Sequence, residues 1–252
     1  MRTPARTALI LTLLTTPALP SANEPSSLVE LARKADFVGL AQVRDTDYLR
    51  RREIPVSGSA YLQVLIPYKT ATGTTASPRP EYAPPGGAEA LVEVYEKGLH
   101  ESECYFADPG VIEEGRRYLL FLRQDPDDAA RYRGLPEGCA IDVLVDRENG
   151  YVVRVPVTGI RLTAAQTALL GQRARTMQYS DPYAVVDDED LPPALRDTML
   201  AAGQIAPWTA DDRAPDSADP LPPPPSPPRQ WIYTLGVPLS EFRELLQLEP
   251  DL

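Results

Sequence analysis

Short apolar runs rich in β-branched and aromatic residues fill the stretch between residues 36 and 157 and predict β-strands. They read DFVGLAQVRDTDYL, SAYLQVLIPYKTATG, ALVEVYEKG, RRYLLFLRQ and CAIDVLVDRENGYVVRVPV. In the last run, Asn149-Gly150 lies between two apolar stretches, which is typical of a tight β-hairpin. Five or six strands separated by turn residues predict a mainly β fold built on a small antiparallel barrel, closed or nearly closed.

Apolar residues at helical spacing predict helices that flank this barrel. The first, SSLVELARKADF, begins at Ser26 or Ser27, and Glu30 can complete a capping box with Ser27. The second, LTAAQTALLGQRAR, has Thr163 as its predicted N-cap. The third, SEFRELLQL, is predicted to begin at Ser240 and to dock its apolar face on the barrel.

Proline and acidic residues set one part of the chain apart. The chain has 28 prolines in 252 residues, about twice the usual share. Residues 181–220 carry ten acidic residues against two arginines, and LPPPPSPP follows. We therefore interpret residues 181–230 as a mostly extended, acidic, Pro-rich insertion, with one short helix over 192–203. Residues 23–180 form the barrel domain with its flanking helices, and residues 231–252 form a strand and helix that return to it.

The first 22 residues have the composition of a secretory signal peptide. Arg2 and Arg6 precede an apolar run over residues 8–14, and prolines and small residues follow. We predict cleavage after Ala22, with Ala18 as the alternative. The apolar run is far shorter than the ~20 residues that cross a bilayer. The mature chain is thus expected to be a periplasmic or secreted monomer without a transmembrane segment.

Charge and residue counts exclude several classes of function. A net charge of −11 disfavours nucleic acids and anionic membrane surfaces as partners. One histidine and two cysteines cannot build the common zinc or iron–sulfur sites. The chain has no Gly-rich phosphate loop and no Gly-x-Ser-x-Gly motif. No cofactor, metal or catalytic residue is therefore predicted. Cys104 and Cys139 are expected to form a disulfide in an oxidising compartment.

Several polar clusters have a plain structural interpretation. We interpret His100, in HESEC, as a loop residue rather than a general base or metal ligand. The acidic run over 187–190 lacks the spacing of a calcium loop, and we interpret it as solvated. LPPPPSPP is interpreted as a stiff spacer rather than a ligand for an aromatic groove.

The only basic cluster of the chain is the candidate binding surface. It consists of Tyr48, Arg50, Arg51 and Arg52. Such a cluster can hold an acidic protein or a saccharide. It can equally be a solvated hairpin end that pairs with the acidic insertion.

The chain resembles secreted bacterial proteins with a barrel of the netrin and tissue-inhibitor-of-metalloproteinase type, which has an oligomer-binding fold. The resemblance rests on ADFVGLAQV, on GRRYLLFLR, on the two cysteines and on PLSEFRELL. The matching residues are Ala35, Asp36, Val38, Gly39, Val43, Gly115, Tyr118, Leu119, Leu120, Phe121 and Leu122. It covers residues 28–160 and 231–248, and it implies a disulfide between Cys104 and Cys139. The inhibitors chelate the protease zinc through an N-terminal cysteine, whereas this mature chain is expected to begin near Asn23, so metalloprotease inhibition is not implied.

Together these observations predict an exported, non-catalytic binding or interaction protein of the bacterial envelope or extracellular space. Its partner would be a protein or a saccharide. Two alternatives remain, a hydrolase that uses carboxylates alone and a protease inhibitor that acts through the insertion.

Overall fold

The computed structural model describes residues 26–52, 54–70, 91–96, 114–208 and 230–247. The strands in these ranges are β1 (Phe37–Thr46), β2 (Leu49–Arg51), β3 (Ile54–Lys69), β4 (Leu91–Glu96), β5 (Arg117–Gln124), β6 (Tyr132–Gly134), β7 (Ala140–Val145), β8 (Tyr151–Val155), β9 (Arg175–Thr176), β10 (Val185–Asp187), β11 (Ile205–Trp208), β12 (Gln230–Tyr233) and β13 (Leu235–Pro238). The helices are α1 (Leu28–Lys34), α2 (Ala164–Arg173), α3 (Pro193–Ala201) and α4 (Leu239–Leu246). None of these helices is long and apolar enough to cross a membrane.

Five strands close into a barrel. β1 pairs antiparallel with β3 on one edge and with β5 on the other. β4 pairs antiparallel with the other edge of β3. The short β6 pairs parallel with β4 and antiparallel with β5. The strand order around the ring is therefore β1, β3, β4, β6, β5 and back to β1. This ring confirms the predicted mainly β fold with a small barrel, and it is consistent with a barrel of the oligomer-binding type.

Two apolar cores lie on opposite faces of β1, which explains why its sequence is almost continuously apolar. Phe37, Ala41 and Val43 point into the barrel and are buried there. Val38 and Leu40 point outward and are buried beneath helices α1, α2 and α4. Because successive side chains of a strand alternate between its two faces, one strand supplies both cores.

Helix boundaries follow local hydrogen bonds. Ser27 and Glu30 form the predicted capping box of α1, and Thr163 caps α2 as predicted. The prediction that Ser240 caps the last helix is wrong. β13 runs through Pro238, which pairs with Val152, so α4 begins directly after it and Ser240 already lies within the helix.

The barrel sheet continues beyond β5. β5 also pairs with β7, and β8, β13 and β9 follow in order. β7 and β8 form the predicted hairpin, with Asn149 at a φ of 63°. The Asp146 Oδ1 accepts hydrogen bonds from the backbone N–H groups of Glu148 and Gly150, at 2.9 and 2.7 Å. This turn is thus held by its own aspartate.

Residues 181–208 are folded, where the composition favoured a mostly extended segment. They hold two 3-10 turns, the predicted short helix as α3, and strands β10 and β11. β12 lies between β10 and β11 in a separate three-stranded sheet. Leu191, Met199, Ile205 and Trp231 form its small core. The central strand comes from beyond the Pro-rich stretch, which the local composition cannot indicate. Residues 209–229, with LPPPPSPP, lie outside the described residues.

Gly236 lies in β13, which pairs with β8, and it contacts Tyr179. A Cβ atom there would lie 2.3 Å from Val152 Cγ1 and 2.5 Å from the Tyr179 hydroxyl oxygen. We predict that Gly236→Ala lowers the free energy of unfolding by about 2 kcal/mol, because both neighbours belong to a packed layer. Gly171→Ala is the matched control, because nothing lies within 4 Å of its Cβ position in α2.

Denaturant unfolding of the two variants measures this difference. Gly171→Ala is expected to raise the free energy of unfolding by about 0.5–1 kcal/mol through helix propensity. Equal stability of Gly236→Ala and the unsubstituted protein would contradict the packing described for β13.

Candidate functional site

The hairpin formed by β1 and β3 continues past the barrel as a two-stranded ribbon. Pairing of β1 with β3 ends at Thr46 and Ala60. Pairing of β2 with β3 then resumes at Leu49 and Ser57. β2 thus prolongs β1 after a two-residue step, and we refer to residues 49–52 as the ribbon tip. The basic cluster therefore lies at the end of an element that is built into the barrel.

Gly58 and Asp47 hold the step between barrel and tip. Gly58 has a φ of 145°, and a Cβ atom there would lie 2.5 Å from Tyr48 Cα. Only glycine allows this close approach of the two strands. The Asp47 carboxylate accepts hydrogen bonds from the Ser59 backbone N–H at 2.6 Å and from the Tyr61 hydroxyl at 2.7 Å. The base of the tip is thereby fixed to β3.

Tyr48 anchors the ribbon rather than presenting a contact surface. Its ring is partly buried against the inner core of the barrel, and its hydroxyl oxygen is fully buried. Burial raises the pKa of Tyr48, and the nearby Glu96, Asp47 and Tyr118 raise it further, so its hydroxyl stays protonated. The structure therefore separates Tyr48 from the three arginines with which the sequence grouped it.

Arg50, Arg51 and Arg52 are all exposed at the ribbon tip. Leu49 beside them is 56% exposed. Arg52 forms the turn and has a φ of 51°, a left-handed conformation that asparagine and glycine adopt more readily than arginine. None of the three arginines forms an ion pair within the described ranges. The tip thus carries three exposed positive charges on consecutive residues, next to an exposed apolar side chain.

Three acidic residues of the insertion, Asp181, Asp188 and Asp197, pair with arginines elsewhere. The Asp181 carboxylate lies 3.2 Å from Arg117 and also accepts the Val145 backbone N–H. The Asp188 carboxylate accepts hydrogen bonds from Arg196 at 2.8 Å and from the Trp231 indole N–H at 2.7 Å. In the described part of the insertion, residues 181–208, no acidic side chain pairs with the ribbon tip. Internal pairing, the sequence-based alternative, is therefore not seen there.

A partly buried ion-pair cluster joins the extension of the barrel sheet to the small sheet, and sequence reasoning missed it. Arg154 is buried, pairs with Asp142, and lies 4.3 Å from the centre of the Tyr233 ring. Arg116 lies 4.0 Å from the Asp142 carboxylate and 5.1 Å from the centre of the Tyr183 ring. Asp142 and Arg154 lie on one face of the β7–β8 hairpin, so the alternation of its strands is the signal that could have indicated the pair. This cluster holds two layers together.

The buried carboxylate of Asp125 fixes the loop between β5 and β6. Burial alone would raise the pKa of Asp125, but hydrogen bonds from the Asp127 backbone N–H, Arg131 and Arg133 outweigh it and lower that pKa. The guanidinium groups lie 2.6 and 3.0 Å from the carboxylate. This arrangement occupies two arginines inside the protein, in contrast to the arginines of the ribbon tip.

The remaining predicted positions are the two cysteines, His100 and the acidic run. Cys139 is fully buried in the barrel core and is not a free cysteine. Cys104 and His100 lie outside the described residues, so the predicted disulfide and the loop position of His100 stay predictions. The acidic run ends in a 3-10 turn over Asp188–Asp190. Within the described residues, no group of three or more acidic, histidine or cysteine side chains could hold a metal ion.

No protein-family model matches the chain, and a search of curated proteins finds no match.

Proposed function

We propose that this protein is an exported, non-catalytic binding protein of the bacterial envelope or extracellular space, and that it holds an acidic partner at the ribbon tip. The observation that carries the proposal is the exposure of three adjacent arginines without an ion pair in the described residues. Guanidinium groups form forked, charge-assisted hydrogen bonds with carboxylates, which suits an acidic protein or an acidic saccharide.

The attachment of the tip to the barrel favours binding. Tyr48, Asp47 and Gly58 hold its base, so little backbone freedom is lost when a partner binds. The remainder of the chain is strongly acidic, with a net charge of −11 overall. An acidic partner is therefore repelled by most of the surface and attracted at the tip, which orients its approach.

The hydrolase alternative gains no support from the carboxyl groups whose pKa values depart from the ordinary range. The pKa values of Glu30, Asp125 and Asp188 are all lowered by hydrogen bonds. A carboxyl group that donates a proton in glycoside hydrolysis needs a raised pKa. These three carboxyl groups are therefore not candidates for the general acid.

The inhibitor alternative falls mainly on residues 209–229, outside the described residues. Their neighbours Trp208 and Gln230 pair with each other in the small sheet. The described residues on either side of the segment thus lie next to each other. No described side chain indicates a protease as the partner, and the ribbon tip remains the better supported surface.

Export, the disulfide and the family resemblance are part of this proposal. The basic and apolar start of the chain supports export. The burial of Cys139 within the barrel supports a structural disulfide with Cys104. The five-stranded ring, with α1 and α4 packed on one side of it, supports a relation to the netrin and tissue-inhibitor type of barrel.

We expect the variant Arg50→Gln, Arg51→Gln, Arg52→Asn to bind immobilised polyglutamate and polygalacturonate about tenfold more weakly than the unsubstituted protein. Three exposed charge pairs of about 0.5 kcal/mol each account for that factor. Asparagine at position 52 keeps the left-handed turn. Surface plasmon resonance at low and high salt measures the affinity, which should fall as salt rises.

The matched control is Arg33→Gln, Arg161→Gln, Arg243→Gln, which removes the same charge from three exposed arginines that form no ion pair. It should bind like the unsubstituted protein. Equal loss in both triple variants would show that only the overall charge matters, and it would overturn the assignment of the site to the ribbon tip.

Export is tested by the intact mass of the protein recovered from its host, with and without reduction before thiol alkylation. We expect a chain shortened by about 22 residues, as a cleaved signal peptide requires, with both thiols protected until reduction. An uncleaved chain with two reactive thiols would refute export and the disulfide together.

A further inference from the structure

Within the described residues, one edge of β2 is unpaired at the ribbon tip. β2 is hydrogen-bonded to β3 and to no other strand of the described chain. No backbone hydrogen bond from another described segment reaches residues 49–51. An exposed strand edge offers a row of N–H and C=O groups to which a further strand can pair.

The side chains along this edge determine which kind of strand can pair with it. Arg50 and Arg51 lie on opposite faces of the ribbon, because strand side chains alternate, and the pairing register with β3 shifts between Leu49 and Arg50. Arginine side chains on an edge repel a second copy of the same edge, which is one way that proteins avoid pairing with themselves. The same charges attract an acidic strand from another protein.

We propose that the partner is an acidic peptide segment that adds to the free edge of β2 as an extended strand. This inference rests on the proposed function and names the partner's class. In antiparallel pairing, the partner has one acidic residue opposite Arg51, a second opposite Arg50, and an apolar residue opposite Leu49. Its backbone hydrogen bonds supply affinity, and its side chains supply selectivity.

The exposed Leu49 favours a peptide over an acidic saccharide. A ligand held only by charge makes no use of an apolar side chain that is 56% exposed between the barrel and the arginines. An apolar side chain of an added strand covers it and removes its surface from water. A saccharide has no amide ladder to pair with the edge, although its carboxylates can contact the arginines.

The test uses a hexapeptide, Thr-Glu-Glu-Val-Thr-Thr, labelled with a fluorophore and titrated with the full-length protein. Two isomers carry backbone N-methyl groups at alternate residues, so that each blocks one edge of the peptide strand. Because only one edge of an added strand faces β2, we expect one isomer to bind roughly tenfold more weakly and the other to bind within about twofold of the unmodified peptide.

The outcomes separate this inference from the proposed function. Equal affinity of both isomers and the unmodified peptide, or no peptide binding while polygalacturonate binds, overturns strand addition. If the ribbon-tip triple variant still loses binding to both polymers, the basic site at the ribbon tip itself stands. If that variant binds the polymers and the peptide like the unsubstituted protein, both proposals fail.

Discussion

The pairing of β1 on both of its edges is the constraint on which the rest of the structure depends. Six consecutive residue pairs, from Phe37 with Leu122 to Gln42 with Arg117, join β1 to β5 and close the barrel. Closure removes two strand edges and separates an inner core from an outer core beneath the helices. It also fixes the direction in which β1 and β3 leave the barrel, and hence the place of the ribbon tip.

The ribbon tip and the buried clusters show two opposite uses of arginine. Arg154 and Arg131 lie against aspartates and aromatic rings, where they connect strands and loops. At the tip, Arg50 to Arg52 extend into solvent from a base that Tyr48 and Asp47 hold. Leaving a buried charge unpaired is costly, whereas an exposed charge costs little and stays available to a partner. This contrast is the physical basis for the proposal that the tip binds a partner.

Local signals predicted the elements that depend on neighbouring residues. The Asn149-Gly150 turn, the capping box at Ser27 and the basic cluster could all be identified in the sequence. Features that depend on residues distant in the sequence could not be identified in this way. The anchoring role of Tyr48 depends on the register between β1 and β3 and on the conformation of Gly58. The small sheet depends on β12, which follows the Pro-rich stretch in the sequence. The acidic composition of the preceding residues therefore did not indicate that they fold into a sheet.

Amide hydrogen exchange of the full-length protein, read by NMR with and without polyglutamate, tests both the closure of the barrel by β1 and the binding of an acidic partner at the ribbon tip. We expect slow exchange along β1 and β5 in both states, because their hydrogen bonds close the barrel. We expect rapid exchange in the free protein at those amides of Leu49–Arg52 that do not bond to β3, and protection there when polyglutamate is bound. Protection elsewhere with no change at the tip, or rapid exchange throughout β1, would contradict this expectation.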